Sequence, residues 1–285
     1  MNAQTHPYFG ATIAYATKHG KEKLIAAALH DALNAQVQVA NVDTDTLGTF
    51  SGEIERTLSP LEAAVTKARM GMDALGLDYG IASEGSIGPD PLVHFLLSDI
   101  ETMVFLDRTR EITIVETHRS FDITAATLAA DPTTPLDDFL READFPRHHL
   151  IVRENTKGKI THVVKGIDSL ARLTRAIEEI SALSPDGKVI IESDLRAHAS
   201  PSRQKNITTL SEKLLARILS LCSSCGAPGW GKLSYEKGLT CLECGTDVPN
   251  AIHREILSCV ACERAERGKI IATEVDPAHC PQCNP

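Results

Sequence analysis

Residues 222–226 read CSSCG, 241–245 CLECG, 259–262 CVAC and 280–283 CPQC. These four Cys-x-x-Cys pairs hold all eight cysteines of the 285-residue chain, and none precedes Cys222. Two thiolates at this spacing grip one tetrahedral ion on a tight turn, and a second pair completes a four-sulfur site. The pattern therefore predicts two structural zinc centres built from Cys222, Cys225, Cys241, Cys244, Cys259, Cys262, Cys280 and Cys283. A disulfide scaffold would also show an even count. However, the N-terminus, MNAQTHPYFGATIAYATKHGKEK, shows no basic start followed by an apolar run. No stretch reaches the roughly 18 apolar residues of a membrane span. The expectation is a cytoplasmic chain with reduced thiols, in which zinc is preferred over disulfides or an iron–sulfur cluster.

Spacing leaves the sharing of metals open, because the intervals between successive pairs are similar. Consecutive sharing is preferred over a cross-braced arrangement. It would give one ribbon from Cys222, Cys225, Cys241 and Cys244, and a second from Cys259, Cys262, Cys280 and Cys283. Gly226 and Gly245 follow two of the knuckles, where glycine suits the turn that aims backbone amides at sulfur.

Working outward, the cysteine boundary implies three parts: an α/β body over 1–201, a connecting helix over 202–221 and a double zinc ribbon over 222–285. Hydrophobic residues make up 42% of the chain, enough for a globular core. The chain carries −9 overall, and residues 222–285 hold six Lys/Arg against eight Asp/Glu. Eight thiolates and two Zn2+ make that region more acidic still. Nucleic-acid binding needs a basic face, so the ribbon reads as a structural or protein-contact module. A homodimer is compatible with this reading, and a membrane partner is not.

The body alternates strands and helices. ATIAYAT (11–17) and VQVANV (37–42) read as strands around an amphipathic helix, KEKLIAAALHDALN. Ser59-Pro60-Leu61-Glu62 forms a capping box that opens a helix running to Leu75. DYGIAS (78–83) is a strand ending in the loop EGSIGPDP. Residues 101–120 form two strands joined at Asp107–Arg110. A short helix near 136–143, a strand HLIVRE, a helix from 166 to 181 and a strand KVIIES follow. This predicts an α/β sandwich whose mixed, twisted sheet is flanked by helices.

Four loops carry chemistry at strand ends, where α/β folds bind ligands. Thr17-Lys18-His19-Gly20-Lys21 offers a hydroxyl, two lysines and a helix start, a cradle for phosphate. Asp43, Asp45, Glu53 and Glu55 supply hard oxygen ligands suited to Mg2+. Glu84, beside Gly85 and Ser86, can hold a metal or orient a water. Arg196, His198 and Arg203 follow the last strand and offer directed donors for phosphate or base.

Together these segments resemble the inosine/xanthosine triphosphate pyrophosphatase family and its Maf-like relatives over about residues 11–90. The strand-ending loop with Lys21, the acidic Glu53/Glu55, the helix motif Glu62-Ala63-Ala64-Val65-Thr66-Lys67-Ala68 and the strand end Glu84-Gly85-Ser86 follow the family order. The resemblance implies a nucleotide substrate or ligand, with Lys21 and Lys67 on the triphosphate, Thr17 and His19 beside it, and Glu53 or Glu55 on Mg2+. Glu84 would bind metal or activate water, and Arg196, His198 and Arg203 would contact phosphate or base. The whole chain also resembles an uncharacterised bacterial family with an α/β body and a C-terminal double zinc knuckle, which names no activity.

Overall fold

β1 (Thr12–Ala16) is a short apolar strand, buried from Ile13 onward. The computed structural model describes residues 5–18, 20–48, 57–156 and 160–285. His19, Glu53 and Glu55 lie outside them. After β1 a 3-10 turn, Lys21–Leu24, leads into α1 (Ala26–Leu33), and β2 (Gln36–Ala40) returns parallel to β1. α2 (Pro60–Leu75) opens on the expected box: Glu62 N–H donates to Ser59 Oγ at 3.3 Å, and Ser59 N–H donates to the Glu62 carboxylate at 2.9 Å. Gly76, at φ 64°, ends it. β3 (Tyr79–Pro89) then pairs parallel with β1 on the side opposite β2.

β4 (Leu97–Asp107) and β5 (Ile112–Ser120) complete a five-stranded sheet in the order β2-β1-β3-β4-β5. Their connections are too short for parallel crossovers, so the sheet is mixed. The segment EGSIGP is strand, not the expected loop. It continues β3 because β4 offers it a partner.

A second, four-stranded sheet corrects the expectation of a single sheet. It comprises β6 (Thr127–Ala130), β7 (Leu150–Glu154), β8 (Val163–Ile167) and β9 (Val189–Ser193), in the order β6-β9-β7-β8 with antiparallel pairings. α3 (Asp137–Glu142) and α4 (Leu170–Ser181) flank it. α4 turns Leu173, Ala176, Ile177 and Ile180 inward at helical spacing. α5 (Pro201–Leu219) follows. β10 (Gly231–Thr240), β11 (Asp247–Ser258) and β12 (Ala265–Ile270) form an antiparallel three-stranded sheet.

Contacts divide the chain into two units. The first comprises Met1–Leu106 and Val115–Leu214, and the second Asp107–Ile114 and Leu215–Pro285. The division falls inside α5, which runs from one unit into the other. No helix among the described residues is long and apolar enough to cross a membrane.

Within the first unit, side-chain alternation assigns the faces of the large sheet. Ala14, Ala82, Val104 and Leu106 pack with Ala64, Ala68 and Met72 of α2. Gly80 lies so close to α2 that a Cβ would meet Met72 Cγ at 2.5 Å. The opposite face carries Asp99, Glu101 and Met103 of β4, which meet Asn206, Arg203 and Ser211 of α5.

Candidate functional site

The order β2-β1-β3 puts the topological switch point at the carboxyl end of β1, where flanking connections diverge and α/β folds leave a crevice. Tyr15 pairs with Ile81 and β1 stops at Ala16, so Ser83, Glu84 and Gly85 of β3 extend past its end. The chain leaving β1 brings Lys21 back to this point, where its ammonium donates to Ser83 Oγ at 3.1 Å. Glu84, on the α2 face, forms an ion pair with Lys67 of α2. On the α5 face Arg203 forms an ion pair with Glu101 and donates to the Leu195 carbonyl at 2.6 Å. Asn206, one turn further along α5, donates to Asp99 at 2.9 Å.

The structure thus gathers Lys21, Lys67, Glu84 and Arg203. Arg203 is central to the cluster, only 2% exposed. Glu101 and Asp99, absent from the sequence-based set, complete it. Both are fully buried, and one oxygen of each, Asp99 Oδ1 and Glu101 Oε2, has no hydrogen-bond partner among the described residues. Burial lowers the Lys21 pKa to about 8, moderated by Glu101 and Glu84 and reinforced by Arg203 and Lys67. Burial raises Asp99 to about 6, and the neighbouring Glu101 charge adds to the rise. A Cβ on Gly85 would collide with Glu101 and Arg203, which explains a glycine inside a strand.

The other expected residues separate from this cluster. Thr17 is half-buried beyond β1. Lys18 forms ion pairs with Asp43 and Asp45, so the acidic segment is engaged by the first loop. Arg196 is held on Asp194 and lines a cavity of about 300 Å³ beside the second sheet. His198 is exposed and lines another cavity with Gly20, Lys23 and Gln204. His148 is structural. Its Nδ1 lies 3.0 Å from Asp144, and its Nε2 accepts the Ser202 backbone N–H at 3.1 Å in the first turn of α5. A helix start leaves such donors unsatisfied, and here a histidine caps one.

The second unit holds the cysteines in two quartets: Cys222, Cys225, Cys259 and Cys262, and Cys241, Cys244, Cys280 and Cys283. The pairing is interleaved, which overturns consecutive sharing. The reason is strand length. β10 spans ten residues, roughly 30 Å at 3.3 Å each, and carries the second knuckle away from the first. β11 returns the chain to the first, and β12 leaves it again.

Sulfur distances across knuckles are 3.8 Å for Cys222–Cys262, 3.6 Å for Cys225–Cys259, 3.8 Å for Cys241–Cys283 and 3.7 Å for Cys244–Cys280. A tetrahedron with Zn–S bonds of about 2.3 Å has an edge of about 3.8 Å, whereas a disulfide needs about 2.05 Å. Both quartets therefore fit zinc. Each contains one glycine knuckle, with Gly226 at φ 72° and Gly245 at φ 69°. Backbone N–H groups, from Cys225 foremost, lower the Cys222 pKa to about 7, and Thr246 lowers Cys244 to about 6, whereas burial raises Cys259 and the contact with Cys244 raises Cys283, so each quartet pairs a readily ionised thiol with one that a bound cation would have to deprotonate. Arg217 of α5 donates to the carbonyls of Gly229 at 2.8 Å and Lys232 at 2.9 Å, fixing the approach to β10.

The class defined by these features is an α/β unit with a buried charge cluster at a switch point, joined to an antiparallel unit with two interleaved four-cysteine centres. The chain belongs to the family described as a domain of unknown function, DUF6671, which matches residues 67–285. That match includes Lys67, Glu84, Glu101, Arg203 and every cysteine, and begins after β1 and Lys21. No curated protein matches the chain.

Proposed function

We propose that the first unit is a Mg2+-dependent nucleoside triphosphate pyrophosphatase that releases the monophosphate and pyrophosphate. The observation carrying this reading is the meeting of Lys21, Lys67, Glu84 and Arg203 at the β1/β3 switch point. The partial resemblance to the inosine/xanthosine triphosphate pyrophosphatases supports the same reading and extends it to their fold, and non-canonical purine nucleotides are the first substrates to try.

Mg2+ takes one or two carboxylates and completes its shell with water and substrate phosphate, and Glu84, at the end of β3, is the carboxylate that would hold it. Bound Mg2+ supplies charge neutralisation at the phosphates. Lys21 and Lys67 offset the remaining phosphate charge, and Lys67 must exchange its Glu84 partner for the substrate. Glu84, once released, holds the attacking water or the ion. Arg203 keeps Glu101 in place through its ion pair.

A second reading is favoured by the balance of the cluster, in which three cations face three carboxylates. A closed set of this kind suits a protein that binds nucleotide without hydrolysing it. Under either reading the acidic zinc unit serves protein contacts, and its reduced thiols suit the cytoplasm.

Purified, zinc-loaded protein with Mg2+ should release pyrophosphate from at least one canonical or deaminated nucleoside triphosphate. Glu84→Gln should lower kcat by at least about 100-fold. Nucleotide binding without turnover would select the second reading. Neither binding nor turnover, or an unimpaired Gln variant, would overturn the proposal.

A further inference from the structure

The connection between β3 and β4 presents apolar side chains to water. Leu92 is 78% and Phe95 87% exposed, and Leu96 and Leu97 are more than a third exposed. This tip is held rigid from below. Asp90 is fully buried, forms an ion pair with Arg119 and accepts the backbone N–H groups of Leu92 and Val93, each at 2.9 Å. The Asp90 N–H in turn donates to the Leu96 carbonyl at 2.8 Å. A loop fixed in this way loses little conformational entropy on docking. Four apolar residues on a fixed loop in water mark an interaction site more than a tolerated exposure.

The base of the same hairpin forms one wall of the 300 Å³ cavity beside the second sheet. Its lining is apolar on the hairpin side, with Ile87, Leu97, Ala125 and Ile151, and polar at the end of β9, with Glu192, Asp194 and Arg196. A cavity of about 150 Å³ accommodates a benzene ring, so this one has room for a phenyl group and part of a second side chain. Knob and hole therefore occupy adjacent parts of one hairpin, two residues apart at Phe95 and Leu97.

We infer that a second copy of this chain covers the tip, each copy inserting Phe95 into the other's cavity with Leu92 packed beside it. Adjacency is what selects a second copy. A two-fold axis between knob and hole seats both knobs at once and closes the assembly, as an isologous interface requires. Phe95 would then bury most of the roughly 150–250 Å² of an aromatic side chain in each copy. The inference is independent of the nucleotide reading, because no residue of the charge cluster lies on this surface.

Sedimentation velocity of the full, zinc-loaded chain across the micromolar range tests it. Wild type should dimerise, and Phe95→Asp and Leu92→Asp, both at exposed positions, should each weaken the dimer at least about 30-fold. Ala125→Phe, which fills the hole, should do the same. A mixture of Phe95→Asp and Ala125→Phe chains keeps one intact knob and one intact hole, and should dimerise more strongly than either variant alone. The inference is overturned if wild type stays monomeric, if both Asp variants dimerise like wild type, or if the mixture gains nothing where Ala125→Phe melts like wild type.

Discussion

The cysteine quartets and the charge cluster of the first unit both concentrate ionisable groups, but they balance charge in opposite ways. In each quartet four thiols converge, and their thiolates repel until a cation arrives. In the cluster Lys67 faces Glu84 and Arg203 faces Glu101, so attraction is already present within the chain. The first arrangement makes an external ion part of the fold. The second stands without one, and a ligand must compete with existing pairs to enter.

The metal side of this contrast gives the largest expected effect. Structural zinc contributes an apparent 10–16 kcal/mol in small domains, so chelation should unfold the β10–β12 sheet while the apolar core of the first unit keeps its helical dichroism. Paired substitutions then test the interleaving. Cys222→Ser with Cys259→Ser removes ligands from one quartet, and the protein should retain one zinc. Cys222→Ser with Cys241→Ser removes one ligand from each, and metal content should fall towards zero. Atomic absorption showing the reverse pattern would restore consecutive sharing.

The buried ion pair provides the next effect. Arg203 and Glu101 have side chains 2% and 0% exposed. Removing one partner leaves an uncompensated charge, which costs about 3–5 kcal/mol. Urea unfolding of zinc-loaded Arg203→Met and Glu101→Gln should show losses of that order with two zinc ions retained. The double variant Arg203→Met/Glu101→Leu should recover much of the loss. Single-variant costs below about 1 kcal/mol would mean that water reaches the pair, and the contrast with the metal quartets would weaken.

The two centres were legible in the sequence to different degrees, for physical reasons. The cysteines announce themselves because a knuckle is a local structure whose ligands are three residues apart. Their sharing was not legible, because it depends on how far β10 and β11 carry the chain, and the similar intervals conceal that. In the first unit the Ser59–Glu62 box and the α2 periodicity were readable, since capping and amphipathicity are local. The β3 extension was obscured by Gly85, Gly88 and Pro89, which read as a turn. Gly85 is small for a tertiary reason, the approach of Glu101 and Arg203. Glu101 itself left a signal in the alternation Asp99, Glu101, Met103, Phe105, which sets two carboxylates on one face with two core residues. The short strands β6 and β8 left none, since four or five residues of TLAA or VVKGI show no decisive alternation.

The smallest effect concerns Lys21, and it tests how closed the cluster is. Its pKa, lowered by burial to about 8, lies below the ordinary lysine value of 10.5. Between those values the unfolded chain holds a proton that the folded chain has released. Folding stability attributable to this group therefore rises as pH increases from about 8 to 10.5, and is flat below 8. Other lysines and the thiols titrate in the same window, so the useful quantity is the difference between wild type and Lys21→Met. That variant removes the buried charge and should be the more stable protein at pH 7, by on the order of 2 kcal/mol. Its advantage should shrink steadily as pH approaches 10.5. An advantage that does not change with pH would mean that Lys21 keeps its proton throughout, held by Glu101 and Glu84 more strongly than burial opposes it. The cluster would then be electrostatically as tight as the metal quartets, with the carboxylates in place of the ion.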